Sequence, residues 1–404
     1  MMLRRFRLLA FLLPAFAPAC GGRSELSGGP CDDAPGPSEC VAPGADPCGP
    51  SVVVVPVCDP AAHAYQCPAG SRPYARAAGG GGACLPFSDP AGPIESLGGS
   101  LVRVPTDDGR CLWVAETVST KDGDQLRNVA FAPDLTAPFG TCPVAATAVG
   151  GIPASIVHME GGDLPNYLVQ LAAPFRFAGE TRIVYRLFVV DENAVFGVTL
   201  LGSGFARWDA GTQSIVVPGP GSIAFPTTLD LGDAAWVTPD FTYLWGCPKP
   251  DGLVDDCIVT RLDPGGALTL FSGGSSWIPS QNGRDGATLF SAGPWISSVV
   301  PDAVSGGLLH VYAPGFGTTL ETHTAPAPEG PWAPSSTLAS CDLPGGDTSA
   351  FCAGPVVHEE LGDPTRPAEV VVSYGVGTTA PDQSALLGAS PESYWTKLTW
   401  TSAP

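Results

Sequence analysis

Carboxylates are the most numerous side chains in this chain that could do chemistry, with 39 Asp and Glu against 19 Lys and Arg and only five His. Hydrolysis of a glycosidic bond needs two opposed carboxyl groups. One is protonated to release the leaving group, and the other activates water or attacks. Four acids stand where strand-like apolar runs end: Glu116, Asp191, Asp240 and Glu359. Glu116 follows Cys111-Leu112-Trp113-Val114-Ala115 and is the leading candidate, with a strand-end surface charge as its ordinary reading. Asp191 lies before Glu192-Asn193, and Asp240 sits in Pro239-Asp240-Phe241, so tight turns account for both equally well. Glu359 and Glu360 follow His358, and an acid beside an imidazole can tune its protonation. Arg127, Asn128 and His358 are candidate ligand contacts, although a lone histidine after apolar residues is more often structural. His310, inside an apolar run, reads as packing, and so do Trp113, Trp245 and Trp295.

Other chemistries leave no trace. There is no G-x-S-x-G elbow, P-loop, H-E-x-x-H or dinucleotide fingerprint. No cysteine pair has C-x-x-C spacing, so neither a metal site nor a cofactor is expected. The formal charge of −20 argues against nucleic acid, which requires a basic face.

The elements that must position these acids are strands. Past about residue 98, apolar, β-branched and aromatic runs recur between Gly, Pro, Asp and Asn, and no window has a useful helical period. The strongest runs begin near residues 111, 183, 242, 308 and 370. This even spacing predicts an all-β, five-bladed β-propeller, the architecture that removes exposed sheet edges by arranging sheets around an axis. A two-sheet sandwich is the alternative. The final run, Tyr394 to Trp400, is expected to pair near the first blade and close the ring.

The start of the chain reads as an export signal. Arg4, Arg5 and Arg7 precede an apolar run from Leu8 to Leu13, then small residues lead to Cys20. Ala19-Cys20-Gly21-Gly22 resembles a bacterial lipobox, whose cysteine is acylated, although Ala17-Pro18 departs from the usual pattern; cleavage near Ala19 by an ordinary signal peptidase is the alternative. Acyl chains contribute ~0.8 kcal/mol of membrane hold per buried methylene. Removing Cys20 from the 13 cysteines leaves an even set. Six of these crowd residues 31–84, and the rest fall as three sequence-local pairs: Cys111 with Cys142, Cys247 with Cys257, and Cys341 with Cys352. Disulfides in an oxidising compartment follow. The expected domains are a signal peptide (1–19), a tether and disulfide-rich segment (20–92) serving as spacer and plug, and the propeller (93–404). A monomer is expected, held in the cell envelope at the outer membrane or cell surface.

Several motifs resemble a known family. Ala325-Pro326-Ala327-Pro328-Glu329-Gly330-Pro331-Trp332 is similar to a turn of five-bladed arabinanase and β-xylosidase propellers. Glu116-Thr117-Val118 with Arg127-Asn128-Val129, Tyr243-Leu244-Trp245-Gly246 with Thr260-Arg261, and His358-Glu359-Glu360 with Ser373-Tyr374 resemble bacterial propellers first catalogued as a domain of unknown function. Some members of that family are endo-D-arabinofuranases. The resemblance implies action on arabinofuranose-containing polysaccharide. One departure is chemical: Glu116 stands where the family has aspartate, and Ala115 where it has glycine. The longer side chain moves the carboxylate by about one bond length, and misplacement of that size costs on the order of 100-fold in rate. A non-catalytic envelope propeller that binds glycan or protein is therefore the alternative.

Overall fold

A computed structural model of the chain describes residues 40–403, apart from 43, 45, 60, 63, 70, 74–83, 86–91, 134, 136–145, 162–165, 192, 194–196, 249–254, 280–281, 293–295 and 381–393. Cys20, Cys31, Cys142 and Trp295 lie outside the described residues.

Five sheets form the blades of a β-propeller, and two small sheets precede them. The inner strands are Ile94–Pro105, Tyr167–Phe177, Leu231–Val237, Ser298–Pro301 and Ala350–Val357. Each touches the next, and the fifth touches the first, which closes the ring. The second strands are Cys111–Thr120, Glu180–Val190, Thr242–Gly246, Leu308–Tyr312 and Glu369–Thr378. These are the five runs that stand out in the sequence. They do so because a second strand is packed on both faces by neighbouring blades, and a strand buried on both faces reads as a continuous apolar run. In blade 2 Ile183, Val184, Tyr185 and Leu187 are all fully buried.

The connections between first and second strands range from two residues in blade 2 to the 358–368 loop of blade 5, which holds a short 3-10 turn. Ala178 and Gly179, with φ of 50° and 87°, make the two-residue turn of blade 2, a geometry matched to the right-handed strand twist. Inner and second strands are antiparallel, so all these turns lie at one end of the channel; the turns between second and third strands lie at the other.

Two expectations need correction. The last strand, Lys397–Ser402, pairs with Glu369–Thr378 inside blade 5 rather than with blade 1. Blade 1 is reached one residue earlier, where Thr396 N donates to Leu97 O at 2.8 Å and Thr396 Oγ1 donates to Gly99 O at 2.9 Å. Cys84, from the amino-terminal segment, exchanges two backbone hydrogen bonds with Leu398 at 2.9 and 2.7 Å. The second correction is covalent. Cys111 is bonded to Cys48, not to Cys142, because the amino-terminal segment crosses the start of the second strand of blade 1 and brings the two Cα atoms to 4.9 Å. Cys40–Cys67, Cys247–Cys257 and Cys341–Cys352 are also bonded, the last two as the sequence predicts.

Candidate functional site: the Glu116 cradle and the channel end

Four of the five inner strands break register with their second strand at a β-bulge. The extra residues are Gly99-Ser100, Ala172-Ala173, Gly232-Asp233 and Gly354-Pro355. Bulges re-aim side chains and are enriched beside functional sites. In blade 1 the bulge lies opposite Glu116. Gly99 adopts φ +73°, and a Cβ there would stand 2.6 Å from Glu116 Oε2, so only glycine leaves room for the carboxyl group. Ser100 N donates to Oε2 at 3.3 Å, and Gln170 Nε2, from the inner strand of blade 2, donates to Oε1 at 3.4 Å. Gly375 of blade 5 closes the far side of Gly99, where a Cβ would meet backbone at 3.1 Å.

Glu116 is half-buried in this cradle. Burial pushes its pKa above the usual carboxylate range, against the opposing pull of the Ser100 amide, the Arg127 charge and Gln170. A carboxyl biased toward its protonated form is suited to donate a proton. Arg127 is exposed nearby. Asn128 is buried at φ 51°, and its Nδ2 donates to Val169 O at 3.0 Å, so its amide joins blade 1 to blade 2.

The other candidate acids do not gather around Glu116. Asp191 belongs to the turn after the second strand of blade 2, where it accepts from Asn193 N and Thr199 Oγ1, each at 3.0 Å. The Asn193 amide, followed by the Thr199 hydroxyl, holds its pKa below the usual range. Asp240, His358 and Glu359 lie in turns at the opposite end of the propeller from Asp191.

His358 is fully buried, at 0% exposure. Its Nδ1 is 2.8 Å from Glu360 Oε1 and its Nε2 is 2.8 Å from Ser373 Oγ. That is the order of a nucleophilic Ser-His-acid relay, but Ser373 is also 0% exposed, so no substrate reaches its hydroxyl. The cluster is a joint between the last blade and the first. Trp113 Nε1 donates to Glu360 Oε1 at 2.8 Å, and Arg103 Nη1 donates to Glu360 Oε2 at 3.2 Å, both from blade 1. Burial works to raise the pKa of Glu360, but His358 and Arg103 outweigh it and hold the group at about 2.

A second joint was not visible among the sequence candidates. Arg186, buried in the second strand of blade 2, donates from Nε to Asp230 Oδ1 at 2.9 Å and from Nη2 to Asp233 Oδ1 at 2.6 Å. Asp233 Oδ2 accepts Cys247 N at 2.7 Å. The available signal was one arginine inside the very apolar run from Ile183 to Val190.

Where the first-to-second-strand turns converge, the channel opens into a cavity of about 630 Å³. Ala172, Ala234, Ile296 and Val356 line it with Trp236, and Arg103 and Glu359 supply charge. The amino-terminal segment forms part of the wall through Asp46 to Pro50. Cys48 ties this loop to blade 1, and Arg103 Nη1 donates to Cys48 O at 2.6 Å. Among the described residues no group of three or more side chains could hold a metal ion.

The comparisons bear on fold alone. No family model matches the chain, and no curated protein does. Among solved structures, a "putative hydrolase" from Bacteroides ovatus is similar at a TM-score of 0.56 and 14% identity, over 76% of this chain and 87% of that one. The chain is a five-bladed β-propeller with a small disulfide-linked amino-terminal region, related in fold to that bacterial protein.

Proposed function

We propose that this chain is an exported, lipid-anchored propeller of the cell envelope that hydrolyses glycosidic bonds in arabinofuranose-containing polysaccharide, with Glu116 as proton donor. The observation that supports this reading best is the burial-raised carboxyl of Glu116, held over a glycine bulge between blades. The resemblance to arabinofuranase propellers and the fold likeness to a "putative hydrolase" point the same way. Incubation with arabinan and arabinogalactan is expected to release new reducing ends. Glu116→Gln keeps the shape of the side chain but removes the acidic proton, and is expected to cut the rate by about 100-fold or more. No release by the wild-type protein sinks the enzymatic reading. The anchor is tested separately: mass spectrometry of the mature amino terminus should find acylated Cys20, and an unmodified terminus removes the anchor.

One observation favours the non-catalytic alternative, a propeller that binds glycan or protein. Asp230 and Asp233, the acids at the inner strand of blade 3, are both engaged by Arg186 and are not free to act as the second carboxylate. On this reading polysaccharide binds with the same affinity to wild type and Glu116→Gln, and neither cleaves it.

A further inference from the structure

Blade 3 carries a row of side chains that neither buried joint uses. Its inner strand ends near Trp236, which lines the axial cavity. Strand pairing sets Trp236 opposite Tyr243, and Tyr243 opposite Arg261. Directly opposed residues share one face of a sheet, so the three form a line leading outward from the channel. The rings of Trp236 and Tyr243 are stacked, with centroids 5.9 Å apart and planes 30° apart. Trp277, from the outer strand Ser276–Ile278, meets Tyr243 edge-on at 6.0 Å. The Arg261 guanidinium lies over both Phe241 and Trp277, 4.3 Å from each centroid, and its Nε donates to Thr269 Oγ1 at 3.2 Å.

Burial separates this row from ordinary packing. Trp245 points to the same face as Tyr243 two residues along, where Trp332 of blade 4 packs on it edge-on, and it is 1% exposed. Trp236, Tyr243 and Trp277 pack one side against the buried cluster around Trp245 and, with Phe241 and Arg261, remain half-buried rather than enclosed. The row therefore lies where the face of blade 3 emerges from beneath its neighbour.

We propose that this row, with the cavity it leads from, is a binding site for an uncharged oligosaccharide chain, separate from the Glu116 cradle. Sugar rings present apolar C–H faces that lie flat on aromatic rings, and rims of hydroxyls that pair with carboxylates and guanidinium groups. Both kinds of partner are present. Burial, and then the nearby carboxylates of Glu329 and Asp240, raise the Tyr243 pKa, and Arg261 lies within the row. Charge selects against a polyanion: Arg103 and Arg176, at the cavity, are matched by Glu359, Glu360 and Asp107. The cavity volume of about 630 Å³ falls within the usual range for small-ligand sites. The site does not depend on Glu116 acting as an acid, so the two readings fail independently.

Saturation-transfer NMR on the intact protein tests it, with arabinohexaose, xylohexaose and cellohexaose as neutral probes and an oligogalacturonate as the charged control. Irradiating aromatic protons is expected to transfer magnetisation to the C–H protons of at least one neutral hexasaccharide and not to the oligogalacturonate. Trp236→Ala and Trp277→Ala should each weaken binding at least about tenfold, as loss of a central aromatic contact does at other interfaces. Trp277→Leu keeps apolar volume without a ring face and should weaken it equally, so a misfolded alanine variant does not remove the test. Asp191→Asn, in a turn at the opposite end of the propeller, should bind like wild type. The site is overturned by no transfer to any neutral probe, by unchanged affinity in Trp236→Ala and Trp277→Leu, or by loss of binding in Asp191→Asn.

Discussion

Two buried guanidinium groups hold this propeller together, and they differ in what else they touch. At the joint between blades 2 and 3, Arg186 and its partners Asp230 and Asp233 are all nearly inaccessible, with side-chain exposures of 5%, 7% and 2%. At the joint between blades 5 and 1, Arg103 also has two carboxylates, but Arg103 is 16% exposed and Glu359 23%. That second arginine faces the cavity and grips the Cys48 carbonyl of the amino-terminal loop. The first joint links adjacent blades along the chain and needs nothing more. The second links residues about 250 positions apart and is reinforced by Trp113, His358 and Ser373, with the Cys48–Cys111 disulfide fixing the amino-terminal loop to blade 1 beside it. Ring closure is the contact whose loop entropy is greatest, and a buried polar cluster of Arg103, Trp113, His358, Glu360 and Ser373 spans it.

The largest expected effect is on the closed joint. Asp233→Ala leaves Arg186 with one partner and the Cys247 amide with none, and should cost about 3–5 kcal/mol by denaturant unfolding. Glu360→Ala should cost a similar ~3–5 kcal/mol, because it leaves His358 Nδ1 and the Trp113 N–H without their partner and Arg103 with only Glu359 and the Cys48 carbonyl. A much smaller loss would mean that water entering from the cavity side relieves the second joint. Replacing both Cys48 and Cys111 with serine should cost about 2–4 kcal/mol. It should also make the 46–50 loop the first site of limited proteolysis.

Acid separates the carboxylates by sign. The Glu360 pKa is depressed in the fold, so its stabilisation is present above the unfolded value of about 4.5 and is lost as pH falls toward about 2. Glu360→Gln should flatten that part of the stability curve. The smallest effect belongs to Glu116, whose pKa is raised. The folded state binds its proton more tightly than the unfolded state, so stability falls as pH rises through that window. Glu116→Gln should therefore be slightly more stable than wild type at pH 7, with the difference vanishing in acid. A destabilised variant would mean that the Ser100 and Gln170 contacts depend on a charged carboxylate.

Much of the fold was legible because one strand per blade is packed on both faces and shows as an uninterrupted apolar run. The inner strands were not legible. Leu231-Gly232-Asp233 and Ala353-Gly354-Pro355 break their pattern at the bulges that shape the channel, and Ser298–Pro301 has only four residues. Glu116 was visible as an acid inside an apolar strand, whereas Asp191 and Asp240 give the same local signal and are turn residues. The Cys48–Cys111 bond could not be read from spacing, since only the folded path of the amino-terminal segment brings the two cysteines together. Arg186 was hidden for the opposite reason: its partners are 44 and 47 residues away, and the pattern around it is that of core.

The bond between Cys48 and Cys111 also sets how the molecule bears load. It closes a covalent loop that contains Cys84, whose backbone pairs with Leu398 at the seam of the ring. A pull on the chain ahead of Cys48 passes through sulfur directly into blade 1. The Cys40–Cys67 bond gives the same pull a second, longer covalent path through residues 67–111, past the seam at Leu398, so the short route through Cys48 takes the load first.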